Sequence, residues 1–417
     1  MMSIKPIISL FSGAMGLDLG LESAGHGLQT SVAVEINPIA VETIRRNRPD
    51  LPVFNKPIEQ VKTSELLKAA KLKAGDAFAV IGGPCCQSFS TVGKRLSLGD
   101  DKRGGLFRHF LRIVREAKPR FFVMENVKGV LSAAITHRPL NKRGPGFPPL
   151  SADEEFGSAL NLICGELGQL GYKVIYSLVN CADYGVPQKR YRVLFVGSRD
   201  WEDVRIPEAT HFEDAEPRWV TMKQALLSLE DTEPEYLNFT PGRQRLLKRL
   251  KEGENWTALP THLQKVALGN AFQSWGGRVG FCRRLSSDKP CPTLTTAPNG
   301  RATTLCHPTE IRPLSVKEYA RLQQFPDDWS FAGSTSQKYV QIGNAVPIGL
   351  GRALGACLLK LKARQTKLNK PKGVVVCADA KLAARLAKRS KTSLNPPRMR
   401  RIKTLAAARL WMKKKAV

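Results

Sequence analysis

No run of about 18 apolar residues occurs in the chain, so no membrane-crossing helix is expected. The start, Met1-Met2-Ser3-Ile4-Lys5-Pro6, enters a strand at once and lacks the form of a signal peptide. The nine cysteines are odd in number and follow no regular framework, which argues against a disulfide scaffold and suits a reducing cytoplasm. Paired CxxC elements with zinc-finger spacing are missing, so no metal site is expected. GxGxxG is missing too, which disfavours a pyrophosphate-binding dinucleotide site. Acids are scarce: 36 Asp and Glu face 65 Lys and Arg, a net charge of +29. Residues 360–417 hold 19 of those bases against one acid, Asp379, and so carry +18; the remaining +11 still favours a polyanionic partner for the body of the chain.

What is present reads as a doubly wound α/β protein. Strands are expected at 7–11, 31–35, 78–81, 120–125, 172–180 and 192–197, with an uncertain one near Val53. Helices are expected at 17–24, 38–48 and 107–117, between the strands. Near residue 200 the pattern changes. Residues 200–311 are loop-rich, with one helical stretch at 244–251, and read as a second, smaller and irregular domain. Helical periodicity returns at 315–324 and 348–362. A Lys/Arg/Ala-rich tail, disordered or helical at 378–388 and 405–415, fills 364–417.

Three strand ends carry candidate chemistry. After the first comes the turn Phe11-Ser12-Gly13-Ala14-Met15-Gly16, which lets a cofactor approach the backbone at a helix N-terminus. Glu35 ends the second strand, placed to bind ribose hydroxyls; the alternative is a purely structural turn. Gly82-Gly83-Pro84-Cys85-Cys86-Gln87-Ser88-Phe89-Ser90 follows the apolar run 78–81 and presents two thiols, either small buried hydrophobes or a nucleophile. Lys94, Arg95, Lys102 and Arg103 follow shortly and would favour a thiolate. Glu125, in Met124-Glu125-Asn126-Val127, ends the next strand and faces the same edge, as a proton donor or as a plain cap. Gln188-Lys189-Arg190-Tyr191-Arg192 precedes a strand, as a functional cluster or as solvated charges.

A cysteine, an acid, an adenosine cofactor and a polyanion meet in one reaction. Addition of a thiolate to carbon 6 of cytosine, with a proton donor at N3, makes carbon 5 able to accept a methyl group from a sulfonium donor. The base must leave the duplex to be reached. A base deaminase also flips bases, but it needs Pro-Cys-x-x-Cys, a spacing that Pro84-Cys85-Cys86 lacks.

Over residues 6–360 the chain resembles the cytosine-C5 DNA methyltransferase family. The matching blocks stand in the family's order: Phe11–Gly16, Glu35, Gly82–Ser90, Asp101–Phe107, Glu125–Val127, Asp183-Tyr184-Gly185-Val186-Pro187, Gln188–Arg192, Arg312-Pro313-Leu314-Ser315 through Gln324-Phe325-Pro326-Asp327, and Gln341–Pro347. The resemblance implies a Rossmann-like mixed sheet formed by 1–199 plus 312–363, with 200–311 as a target-recognition domain. It implies Cys86 as nucleophile, Glu125 on N3 and the exocyclic amine, and Arg192 on the base carbonyl with Arg190 in support. S-adenosylmethionine, the implied methyl donor, would be held by Phe11, Gly13, Gly16, Glu35, Ile36 and Ile58 and closed over by Asn344 and Val346. Gln87 and Ser90 would lie on a loop that closes over DNA, with Arg278, Arg283, Arg284, Thr295 and Arg301 as further DNA contacts. Duplex DNA is the implied substrate and a restriction endonuclease the functional partner of a cytoplasmic, nucleoid-associated monomer. A tRNA cytosine-C5 methyltransferase uses the same blocks and stands as the alternative.

The chain departs from the family pattern at three positions. Cys85 stands where proline usually precedes the nucleophile, Pro57 where an aspartate usually contacts adenine, and Ile36 where an aromatic usually follows the ribose-binding acid. Residues 133–152 form an insertion rich in Pro, Gly and Arg, with no role assigned by the resemblance.

Overall fold

The computed structural model describes residues 4–84, 105–139, 142–273, 280–361 and 373–392. Cys85, Cys86, Gln87, Ser90 and Arg278 lie outside them.

Among the described residues, eight strands form one sheet. In chain order they are β1 (Lys5–Leu10), β2 (Leu28–Val34), β3 (Val53–Phe54), β4 (Ala79–Gly82), β5 (Phe121–Val127), β6 (Lys173–Asn180), β8 (Tyr191–Ser198) and β10 (Val374–Cys377). Their order across the sheet is β10-β6-β8-β5-β4-β1-β2-β3, and a separate pair joins β7 (Gln188–Lys189) to β9 (Cys291–Pro292). Every neighbour in the large sheet is parallel except β8, which runs antiparallel to both β5 and β6. Central strands such as Ile7-Ile8 and Phe121-Phe122-Val123-Met124 are apolar on both faces and fully buried, as a parallel sheet covered on both sides requires. The chain winds outward through β1, β2 and β3, then returns to start β4 on the other side of β1. Ligands of open α/β sheets bind at that reversal, beyond the carboxyl ends of the strands.

Helices cover the two faces. One face receives α3 (Thr63–Ala69), α4 (Leu106–Ala117) and α5 (Ser158–Gly168) through Leu66, Phe110, Val114, Leu160 and Ile163. The other receives α1 (Gly16–Glu22), through Leu17 and Leu21, and the late helix α11 (Ile348–Leu359), through Leu350, Leu354 and Leu358. These last two helices meet along glycines. A Cβ on Gly20 would lie 2.6 Å from the Gly351 Cα, and one on Gly355 would lie 2.9 Å from the Leu21 carbonyl oxygen. Helix α2 (Pro38–Asn47) joins a third cluster through Ile44, together with Met15, Leu294, Tyr319, Phe325 and Ile342. Thr335–Leu359 is apolar enough in composition to cross a membrane, yet it is mostly buried core, split into α10 (Thr335–Asn344) and α11.

Two stretches differ from the sequence expectation. Within the tail, the described residues 373–392 carry the helix expected near 378–388 and, before it, a strand that the sequence did not lead one to expect. Val374–Cys377 extends the large sheet in parallel register with Lys173–Tyr176. Helix α12 (Ala380–Thr392) then returns along the sheet with Leu382 in the core. A four-residue valine-rich run satisfies the open edge of β6, a tertiary demand that outweighs the surrounding basic composition. The stretch 200–311 is of two kinds. Phe239, Leu246, Leu247, Leu250, Leu259, Ala267, Cys282 and Cys306 form a small core of their own. Met222, Leu285, Cys291 and Leu294 pack instead into the third cluster, with the C-terminal helices.

Candidate active site

The turn after β1 is held in a left-handed backbone at Phe11 (φ 56°), Gly13 (φ 53°) and Met15 (φ 65°). Glu35, just past the end of β2, is 9% exposed and grips this turn. The Gly13 amide donates to its Oε2 at 2.7 Å and the Asn37 amide to its Oε1 at 2.8 Å. Asn55 Nδ2 donates to the carbonyls of Glu35 and Ile36 at 2.9 and 3.0 Å, which fixes the strand end. Each carboxylate oxygen keeps lone pairs for a further donor, as a ribose diol would supply. Beside it Ile36 is 62% exposed, an apolar platform open to a flat ring, while Ile58 is part of the core beneath. Phe11 is half-buried and Asn344 exposed.

Gly16 carries the closure from the C-terminal side. A Cβ there would lie 2.3 Å from the Val346 carbonyl oxygen. Gly16→Ala must therefore push the Val346 segment off the turn. The expected result is a loss of roughly 1–3 kcal/mol in stability by denaturant titration, together with a raised Michaelis constant for the methyl donor. A variant with both quantities unchanged would show that the contact is dispensable.

The second half of the site lies two strands away on the same edge. Glu125 and Arg192 form an ion pair in which each side chain is 12% exposed. Arg192 stands opposite Val127 in the β5–β8 ladder, so Glu125 is its diagonal neighbour on the same face. Arg192 also donates from one terminal nitrogen to the Tyr191 carbonyl at 2.8 Å. The turn after β4 abuts this pair, because a Cβ on Gly83 would sit 2.9 Å from Glu125 Oε2.

Among the described cysteines, six are held protonated by burial, and the seventh, Cys377, ends the edge strand β10, three strands from the one that carries Glu125. Cys181 is buried near Arg192, Arg190 and Glu125, and burial raises its thiol to about 12 despite the arginines. Burial likewise raises Cys164, Cys282, Cys291, Cys306 and Cys357. A thiol held neutral is a poor attacking group.

Arg190 differs from Arg192. It is 1% exposed, and its terminal nitrogens donate to the carbonyls of Leu294 (3.1 Å) and Gly343 (2.9 Å). Burial, and then Arg192, push its guanidinium down to about 9, so it stays charged at neutral pH. Gln188 and Gln323, two residues the sequence reading left without roles, complete this buried junction. Gln188 accepts from the Leu294 amide (3.0 Å) and donates to Gln323 (2.9 Å). Gln323 in turn donates to the carbonyls of Ile342 (2.6 Å) and Ala345 (3.1 Å). The junction thus ties the strand bearing Arg192 to the segment at 294 and to the segment that closes over Gly16. The glutamine spacing carries no sequence signal of such a role.

The expected DNA contacts fall into different places. Thr295 is half-buried with its backbone against Gly343, where a Cβ would lie 2.5 Å from the Thr295 carbonyl oxygen. Arg283 is largely buried beside Cys291 and Tyr319, and burial lowers its pKa. Arg284 turns inward and spends both terminal nitrogens on the carbonyls of Leu250 (3.0 Å) and Pro308 (2.6 Å), so it scaffolds its lobe rather than reaching outward. Arg301 is exposed and rests on the Val266 carbonyl at 3.3 Å.

Comparison with known proteins agrees with this geometry. The family model for C-5 cytosine-specific DNA methylase matches residues 6–360. Type II methyltransferase M.Sau96I of Staphylococcus aureus is 35% identical over 355 residues, covering 85% of this chain and 75% of that one. Type II methyltransferase M.Eco47II of Escherichia coli is 36% identical over 369 residues, covering 86% and 80%. Among solved structures, one described as a DNA modification methyltransferase encoded within an E. coli prophage superposes with a TM-score of 0.58 at 25% identity. It covers 86% of this chain and 99% of that one. The chain belongs to the C-5 cytosine-specific DNA methylase family and is a DNA cytosine-C5 methyltransferase.

Proposed function

We propose that the chain methylates carbon 5 of a cytosine flipped out of a short duplex sequence, through a covalent adduct on Cys86. The observation that carries this reading is the close approach of Gly83, three residues before Cys86 in the sequence, to Glu125 of the Glu125–Arg192 pair. In the reaction, the Cys86 thiolate adds to carbon 6 and the electron pair moves toward carbon 5. A proton held by Glu125 at N3 neutralises the charge that would otherwise build on the ring. Arg192 holds the base carbonyl with its free terminal donors. The exposed Ile36, the remaining lone pairs of Glu35 and the bare backbone at Gly13 suit an adenosine group, and S-adenosylmethionine bound there supplies an electrophilic methyl. Carbon 5 would take the methyl as the donor's sulfur–methyl bond breaks and a neutral thioether leaves; carbon 5 then loses its proton to a base, the bond from carbon 6 to the Cys86 sulfur breaks to return the thiolate, and the N3 proton goes back to Glu125.

Residues 200–311 supply target recognition in this reading, with the small core around Leu247 as the lobe that carries the reading loops. The names of the relatives support a protective role against a cognate restriction endonuclease. Bisulfite sequencing of DNA from cells expressing the chain tests the whole proposal. A single short motif with methylated cytosines is expected; unmethylated DNA beside methylated tRNA would replace it with the alternative substrate.

The C-terminal bases contribute binding without sequence choice. Since residues 374–392 are built into the sheet and its covering layer, the informative truncation removes only 393–417. That change should weaken binding to every duplex and flatten its salt dependence, leaving the methylated motif unaltered. A changed motif would show that the tail reads bases.

A further inference from the structure

We propose that the described residues of the insertion, 133–139 and 142–152, form a preformed wedge that grips duplex DNA beside the target cytosine, with Phe147 as its tip. This rests on DNA being the substrate and adds a contact that the proposed chemistry does not need. Four observations lead to it.

The first is position. The insertion connects the carboxyl end of β5, two residues past Glu125, to the amino end of α5. It therefore stands on the same sheet edge as Glu125, Gly83 and the turn at Phe11, the edge a duplex must approach.

The second is rigidity. Arg138 acts as a hub: it pairs with Glu154 through Nε (2.7 Å) and a terminal nitrogen, and donates to the carbonyls of Pro148 (2.6 Å) and Pro149 (3.3 Å). The Arg138 carbonyl in turn accepts from Arg143 Nε at 2.7 Å. The base is sewn to α5 by Ile135 donating to Ser158 Oγ (2.9 Å), and a Ser151–Glu154 capping box fixes the short helical turn at Ala152–Glu154 beside it. Such a loop loses little freedom on binding.

The third is what the loop shows to solvent. Phe147 is 46% exposed, between Gly146 (φ 87°) and Pro148. An apolar ring on a stiff loop is the kind of side chain that proteins insert between base steps.

The fourth is charge. Within 133–152, Lys142 and Arg143 add to Arg138, whose charge Glu154 offsets, and the stretch itself has no acid. Lys142 is exposed. At the foot of the loop Lys128 lies over the ring of Tyr191, 5.0 Å from its centre, and Tyr191 is itself 43% exposed. A cation and two exposed rings along one rim fit the sugar-phosphate backbone and base faces of a duplex.

The test compares wild type, Phe147→Ala and Phe147→Leu on two duplexes that carry the methylated motif. One has minimal flanks; the other extends about one helical turn on each side. Wild type should bind the longer duplex more tightly. Phe147→Ala should lose about 10-fold in affinity for the long duplex and little for the short one, with turnover on the short duplex unchanged. Phe147→Leu, still an apolar wedge, should keep most of the advantage. An undiminished preference for long flanks in Phe147→Ala would overturn the proposal, and so would an equal loss on both duplexes. Failure of wild type to methylate either duplex would instead count against DNA as the substrate.

Discussion

Cys86→Ser is expected to bind duplex DNA as wild type does and to lose methyl transfer by roughly 10⁴-fold or more, the scale on which removal of an activated nucleophile acts. A serine hydroxyl ionises far above neutrality and does not add to carbon 6 at a useful rate, while its size stays close to that of the thiol it replaces. Cys85→Ser and Cys85→Pro should both remain active, because the neighbour is expected to offer only its backbone carbonyl. Radioactive methyl incorporation and gel-shift binding measure the two quantities separately. An inactive Cys85→Ser beside an active Cys86→Ser would exchange the two assignments. Cys181, buried near Arg192 and Glu125, sharpens the test, since a rescue of Cys86→Ser by Cys181 would require a thiolate where burial raises the pKa to about 12.

The second large effect separates two arginines of one short motif. Arg192→Lys should fold like wild type yet lose about 10²- to 10³-fold in kcat/KM, because a point ammonium replaces a fork that must serve Glu125 and the base carbonyl together. Arg190→Met should do the reverse damage. It strands the carbonyls of Leu294 and Gly343 in the interior, at a cost of about 1–3 kcal/mol for each buried group left unpaired. Thermal melting without DNA or methyl donor should therefore report Arg190→Met and hardly register Arg192→Lys. A stable, inactive Arg190→Met would place that residue at the base instead of in the junction.

Strands at the sheet centre were legible because burial on both faces makes them apolar runs, as at 78–81 and 120–125. Glu35 follows β2 directly, as the alternation of strands and helices led one to expect, while β5 runs two residues past Glu125. Helix α10 was not legible. Thr335–Asn344 is polar along most of its length and is set by a Ser334–Gln337 capping box and by the packing of Tyr339 and Ile342. Arg284 could not be told from an outward arginine by composition, since the carbonyls it satisfies come from residues far along the chain. The same holds for β10, whose partner strand lies about 200 residues earlier.

The glycine seam between α1 and α11 has a consequence for the order of synthesis. Gly16 and Gly20 leave the ribosome more than 300 residues before Val346 and Gly351 arrive to cover them. At ordinary elongation rates that interval is on the order of half a minute. Throughout it the nascent chain holds the Phe11–Gly16 turn and Glu35 without the segment that closes over them. An unfinished chain therefore has the first half of its donor site and no lid, and competence to hold the methyl donor arrives nearly at once with the last catalytic helix.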